Sequence, residues 1–450
     1  MSNEGFASWV SHGCSSSPRR YSCCTSSCLL RHVCDESAGT RSGLDSPTLR
    51  RFCSAQPYGS ISGGAPDLSQ LRVLVCPQEF KGSLTAAQAA EAIASGVRAA
   101  FTASEVRTLP LGDGGPGTVD ACLIGGSGTR VVVMVEGPLG DPVEAAYALF
   151  EEGTPQSLAV IESAAACGLM LLPPEQRDPG RASTFGVGEL IANAMRRGAQ
   201  RIVVGVGGSG SNDGGAGAAH ALGLRLLDAG GAELPRGGVA LERLAAIESA
   251  AVTQSLAGVE LRIAVDVTNP LLGNAGSTAI YGPQKGVRDW EAPAFDRALA
   301  RWARQIETDL GISLPIEDGA GAGGGLPVGL LAVAHAAEAT AVIESGAALV
   351  AEAVELRAAI EAADLVITGE GALDAQTGYG KAVAYVSALA AELGRPCLAV
   401  AGQVAGLPTG LMDIEISTPP GVEVETAMAL GAGPVQDAAE RLARRWVDRD

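Results

Sequence analysis

Lysine is nearly missing. The 450-residue chain carries 32 basic side chains, of which 29 are arginine and 3 are lysine, although lysine is ordinarily among the commonest residues. Aromatics make up 4%, too few for stacked bases or a carbohydrate platform. The formal charge of -18 denies a polyanion the basic footprint it needs, which excludes nucleic acid as a partner. No apolar run approaches the roughly 18 residues of a membrane span. There are 4 histidines; His220 and His335 lack any metal-spaced neighbour and read as packing residues in alanine-rich helices. GxxxxGK[ST] and a GxSxG elbow are absent, and the GxGxxG spacing of GVGGSG (205–210) does not make a proper dinucleotide fingerprint with a ribose acid, which disfavours a Walker-type, dehydrogenase or serine hydrolase site.

The composition changes near residue 70. Residues 1–70 hold Cys14, Cys23, Cys24, Cys28, Cys34 and Cys53, six of the 10 cysteines, with six arginines, no lysine and a net charge of +1 against -19 for the remainder. No hydrophobic period persists there, which predicts a disordered extension. The cysteine spacings fit no standard zinc pattern. An Arg- and Ser-rich, acid-poor start is the signature of an organelle transit peptide, with Arg50-Arg51-Phe52-Cys53-Ser54 resembling a mitochondrial processing site. A start codon assigned too far upstream of a bacterial gene gives the same composition. The expected location is the mitochondrial matrix if residues 1–53 are a transit peptide, and the cytoplasm otherwise. Cys76, Cys122, Cys167 and Cys397 stand apart in apolar contexts, as buried reduced thiols do.

From residue 71 short apolar runs alternate with alanine-rich helical stretches. Strands are predicted at 71–76, near 105, and at 130–136, 143–150, 158–161, 201–206, 261–267, 364–368 and 397–401, with a helix over about 85–100. Strands alternating with helices indicate an α/β fold with parallel sheet, whose ligands bind in loops at the carboxyl ends of the strands. Those loops are rich in glycine and carry the polar chemistry.

The three lysines each adjoin a glycine, as FKGS (Lys81), PQKG (Lys285) and GYGKA (Lys381). A compact ammonium fits a tight glycine loop against a phosphate better than the planar arginine fork does. Lys81 stands in PQEFKGS (77–83), before a helix whose N-terminus favours anions. GDGGPGT (112–118) offers Asp113, Gly114 and Gly115 in a flexible turn. GVGGSGSNDGG (205–215) offers Gly207, Gly208 and Ser209 as a nest of N–H donors, beside Asn212 and Asp213. VDVTNPLLG (265–273) places Asp266 at a strand end and Asn269 in a turn. GAGAGGG (319–325) contributes Gly323 and Gly324, expected to bind the nucleotide. ITGEGALD (367–374) places Gly369, Glu370 and Gly371 at a strand end, a usual place for a carboxylate touching a nucleotide or Mg²⁺, with Asp374 and Lys381 following.

Taken together, PQEFKGSLTA, LPLGDGGPGTVDA, GVGGSGSNDGGAG, VDVTNPLLG, GPQKG, GAGAGGGLP and VITGEGALD resemble the glycerate kinases of the bacterial type I family. The resemblance is collinear over about residues 71–430. It implies ATP-dependent phosphorylation of D-glycerate, with Mg²⁺ and without a reducing cofactor, 2-phosphoglycerate being favoured over the 3-isomer. It further implies two α/β domains with a cleft between them: a Rossmann- or flavodoxin-like domain from 71–130 and 315–450, and an inserted domain from 131–314. Either a monomer or a homodimer is compatible with it. On this reading Asp213 is the general base or orienter of the attacking hydroxyl. Lys81, Asn212 and Lys285 complete the catalytic set with Asp113, and Asp113, Asp266 and Glu370 are the candidates to hold Mg²⁺. The chain departs from the family pattern twice: Gln78-Glu79 stands where many relatives have Asp-Ser, and Pro116 where they often have Glu. Two rivals remain open, a kinase for another small hydroxy acid and a catalytically weak nucleotide-binding regulatory protein.

Overall fold

The computed structural model describes residues 70–252, 256–314, 316, 318–373, 382–406 and 408–448. The expectations for the N-terminal extension, its cysteines and its targeting role lie outside the described residues, as do Asp374 and Lys381. No helix among the described residues is long and apolar enough to cross a membrane.

The strands are β1 (Arg72–Val75), β2 (Glu105–Thr108), β3 (Thr129–Glu136), β4 (Pro142–Phe150), β5 (Leu158–Glu162), β6 (Arg201–Gly205), β7 (Arg225–Asp228), β8 (Leu244–Glu248), β9 (Glu260–Ala264), β10 (Thr340–Glu344), β11 (Leu365–Leu373), β12 (Cys397–Val404) and β13 (Asp413–Ile416). They form two main sheets. The first is five-stranded and parallel, in the order β13-β12-β11-β1-β2. The second is six-stranded, in the order β10-β9-β6-β5-β4-β3; it is parallel from β10 to β5 and antiparallel through β4 and β3. β7 and β8 form a separate antiparallel pair.

The five-stranded sheet is buried on both faces, which is why its strands read as unbroken apolar runs. Val73, Val75, Leu365, Ile367, Leu398 and Val400 point to one side, under the helices Ala86–Ala100 and Ala432–Val447. Leu74, Cys76, Val366 and Cys397 point to the other, under Thr118–Gly125, Gly346–Ala353 and Ala382–Glu392. Cys76, Cys122, Cys167 and Cys397 are buried free thiols, as their apolar contexts indicate.

The chain leaves the first sheet after β2 and returns to it at β11, so the six-stranded sheet is built from the intervening segment. Its last strand is β10, paired with β9 from Thr340 to Glu344. The second crossing therefore falls after Glu344, not at 314/315. β10 is a half-exposed edge strand, and its short mixed pattern gives no apolar run to mark it. Within the first sheet β1 is flanked by β2 on one side and β11 on the other. The chain direction across the sheet reverses there, and such a switch point opens a crevice at the carboxyl ends of the strands.

Candidate active site

Loops from both sheets meet at Asp113. The turn that carries it can lie against the second sheet because Gly114 has φ +88 and no side chain; an added Cβ would stand 2.9 Å from Ala264 Cβ at the end of β9. Gly207 N donates to Gly114 O at 3.2 Å. The half-buried Asp113 accepts from Gln78 Nε2 at 2.6 Å through Oδ2 and from Gly115 N at 3.0 Å through Oδ1.

Across from it stands Asp266, just beyond β9. Its Oδ1 accepts from Ser345 Oγ at 3.1 Å and from Gly346 N at 2.8 Å. Its Oδ2 is buried and has no hydrogen-bond partner. Burial, reinforced by the charge of Asp113, pushes the Asp266 carboxyl up to about 7. Glu79 is raised in the same way by burial and by Asp113, with Lys81 pulling against the shift. The acidic corner is thus held under electrostatic tension that a cation would relieve.

The loop after β6 is built differently. Asp213 is 1% exposed, and its carboxylate takes four hydrogen bonds. Oδ2 accepts from Thr184 N and Thr184 Oγ1 at 2.9 Å and from Gly217 N at 3.1 Å, and Oδ1 accepts from Gly215 N at 3.1 Å. Burial raises its pKa and these donors oppose the rise. A carboxylate so enclosed holds the start of the helix Ala216–Ala221 and, at 1% exposure, presents no accessible face to a substrate hydroxyl. The general-base role expected for Asp213 does not fit this geometry. Asn212 is equally enclosed: Nδ2 donates to Thr278 Oγ1 at 2.9 Å, and Oδ1 accepts from Ser277 Oγ at 3.2 Å.

Lys285 is 2% exposed and lies beneath the same loop, donating to Ser211 O at 2.6 Å and Ser209 Oγ at 3.0 Å. Burial lowers its pKa to about 8. Gly324, with φ +81, packs where a Cβ would be 2.1 Å from Ser211 O, and Gly323 packs on Val206 O. Both glycines support this loop and are not among the residues lining the cavity described below. Asn269 shapes its own turn, donating to Ala275 O at 2.9 Å and accepting from Tyr281 OH at 2.6 Å. Of the three nest donors, Gly207 N is engaged by Gly114 O. The N–H groups of Gly208 and Ser209 have no partner among the described residues.

A cavity of about 390 Å³ opens at the carboxyl ends of β1, β11 and β12. Lys81, Asp113, Glu370 and Gly371 line it, as do Gln78 and Glu79. Gly369-Glu370-Gly371 lies within β11, paired with β12, not in a loop past its end. Lys81 is exposed at the cavity, whereas Lys285 belongs to the buried loop support.

Sequence reasoning passed over Glu162, the last residue of β5. Its Oε1 accepts from Val119 N at 2.6 Å, and burial raises its pKa against the N–H groups of Val119 and Gly117. Glu162 thereby fastens the second sheet to the loop carrying Asp113. The signal was an acid ending an apolar strand, the same signal that marked Asp266.

Among the described residues no three carboxylate, histidine or cysteine side chains gather to hold an ion by themselves, so the expected trio of Asp113, Asp266 and Glu370 does not form one cluster. The pair Asp113 and Asp266 does fit Mg²⁺, which is commonly held by one or two carboxylates with substrate phosphates and water completing the shell. The unpartnered Asp266 Oδ2 is the observation that supports the fit.

The chain matches the Glycerate kinase family over residues 73–447. It is 39% identical over 373 residues to a glycerate kinase of Bacillus subtilis (strain 168), covering 83% of this chain and 94% of the relative. It is 38% identical over 334 residues to a glycerate 2-kinase of Escherichia coli (strain K12), covering 74% and 86%. A solved structure described as a candidate glycerate kinase 2 from Salmonella typhimurium LT2 superposes with TM-score 0.71 at 38% identity, covering 84% of this chain and 98% of that one. These relatives are bacterial and lend the mitochondrial reading no support. The chain belongs to the glycerate kinase family.

Proposed function

We propose that this member of the glycerate kinase family transfers the terminal phosphoryl group of ATP to D-glycerate, giving 2-phosphoglycerate. The observation that carries the reading is the convergence on Asp113 of loops from two sheets. Gln78 reaches it from the β1 loop, while Gly207 at the end of β6 bonds the neighbouring Gly114. Phosphoryl transfer depends on positioning and on neutralising phosphate charge, with little covalent work for the protein.

In this reading Lys81 meets phosphate oxygens, and the N–H groups of Gly208 and Ser209 hold the glycerate carboxylate. Asp113 and Asp266 would hold Mg²⁺. The ion, when bound, neutralises phosphate charge and orients the oxygens it touches. Gln78 and Glu162 keep Asp113 in place, and Lys285, Asn212 and Asp213 keep the substrate-facing loop in shape. The 2-hydroxyl assignment draws on the Escherichia coli relative's name.

Phosphorus NMR after incubation with ATP, Mg²⁺ and D-glycerate tests substrate and regiochemistry together. The expected product is ADP with a phosphomonoester at C2. A C3 ester would overturn the regiochemistry. Turnover of a different hydroxy acid with none of glycerate would overturn the substrate.

A further inference from the structure

The cavity at the five-stranded sheet is chemically mixed. Phe80, Val424, Ala427, Met428 and Val435 give it apolar lining. Lys81, Asp113 and Glu370 give it charge. The exposed Gln403 amide and the half-buried Thr418 hydroxyl also line it, with no protein partner among the described residues, whereas the Ser417 hydroxyl is engaged by Ala401 O at 3.2 Å. The lysine loop is fixed to the apolar wall, because Ser83 Oγ donates to Met428 O at 3.0 Å.

A small hydroxy acid is polar throughout and would leave the apolar wall unused. A ligand that joins a flat apolar ring to negative charge matches both kinds of lining, and binding sites are commonly apolar with a few placed polar groups. We propose that this cavity takes the nucleoside of the phosphate donor. The purine lies against Phe80, Ala427 and Met428, the Gln403 amide reads its polar edge, and the phosphates run past Lys81 toward Asp113. The proposal rests on ATP being the donor; Glu370 and Gly371 of the glycine motif line the same cavity, and what the proposal adds is the apolar lining as the place of the base.

The test uses the full chain with Mg²⁺ and two variants. Ala427→Phe crowds the apolar lining, and Gln403→Leu removes the amide at an exposed position where folding is not at stake. Ala427→Phe is expected to raise KM for ATP about tenfold or more, and Gln403→Leu about three- to tenfold, with KM for glycerate unchanged. Equilibrium dialysis with radiolabelled ATP alone should give matching losses of affinity. A rise in glycerate KM with ATP KM unaltered would make this the acceptor's pocket and overturn the proposal, as would wild-type ATP binding in both variants. If the wild-type chain fails to phosphorylate glycerate, the functional reading falls, while the dialysis still decides the occupant of the cavity.

Discussion

The loop after β6 and the pair of loops bearing Asp113 and Asp266 are built from the same residue types, yet they are physically opposite. In the first, Asn212, Asp213 and Lys285 are buried and hydrogen-bonded. Trp302 Nε1 adds a further bond to Gly214 O at 2.9 Å. In the second, Asp113 is half-buried, Asp266 keeps an unpartnered oxygen, and burial with the charge of Asp113 raises the cost of ionising Asp266. A polar group whose hydrogen bonds are complete has shape as its product. One left incomplete and in tension is available to a ligand.

Substitution should separate the two regions cleanly. Asp213→Ala strips a common acceptor from four buried donors, and the expected loss is about 3–5 kcal/mol of unfolding free energy by denaturant titration. A variant as stable as wild type but inactive would return Asp213 to a chemical role. Asp266→Asn should do the reverse. Turnover is expected to fall about 100-fold, equivalent to about 2.7 kcal/mol. Its denaturation midpoint should hold or rise, since the amide escapes both burial of charge and repulsion from Asp113. A large destabilisation with normal specific activity would erase the contrast.

Lys285 gives a smaller effect with a definite sign. Burial lowers its folded pKa to about 8 from the 10.5 of an unperturbed lysine. Between those values the unfolded chain binds more protons than the folded one, so this residue's contribution to stability rises with pH. Below about pH 8 both states are protonated and the full cost of a buried ammonium is present. Buried Cys122, Cys167 and Cys397, raised to about 12, act in the opposite direction as pH climbs above about 9. The clean measurement is therefore the difference between wild type and Lys285→Met at pH 7 and pH 9. Wild type should gain about 1 kcal/mol relative to the variant over that interval. No relative gain would mean that Lys285 sits in a more hydrated place than its contacts indicate.

The contrast also explains what the sequence could convey. Buried strands such as β1, β6 and β12 are legible because both faces are covered and the run is continuously apolar. β10 and β13 are half-exposed edges with mixed patterns, and β7 and β8 form a satellite pair, so nothing periodic announces them. The chemistry-bearing loops are legible as positions, since glycine beside an acid at a strand end is uncommon enough to notice. Their roles are not. Asp113 and Asp213 both precede Gly-Gly, and only three-dimensional neighbours distinguish a carboxylate facing an opening from one facing four N–H and O–H groups. The apolar wall of Val424, Ala427 and Met428 is illegible for the same reason: in sequence it is core-like, and only the cavity beside it gives it a use.

The subtlest test of the open region is Gln78→Asp, which introduces the residue type that the family resemblance leads one to expect at this place. In this chain the Gln78 amide donates to Asp113 Oδ2 at 2.6 Å, so it steadies that carboxylate without adding charge. An aspartate there would lose the donor and set a third negative group against Asp113 and Glu79. Without a divalent ion the corner should loosen, and with one the added carboxylate should draw the ion in more tightly. The expected outcome is a shift of the Mg²⁺ concentration for half-maximal activity to about two- to fivefold lower values, an effect below about 1 kcal/mol. Turnover at saturating Mg²⁺ should stay near wild type. An unchanged Mg²⁺ dependence would place the ion away from Asp113. A shift to higher Mg²⁺ would mean that the Gln78 bond, and not the local charge, governs how Asp113 meets its ligand.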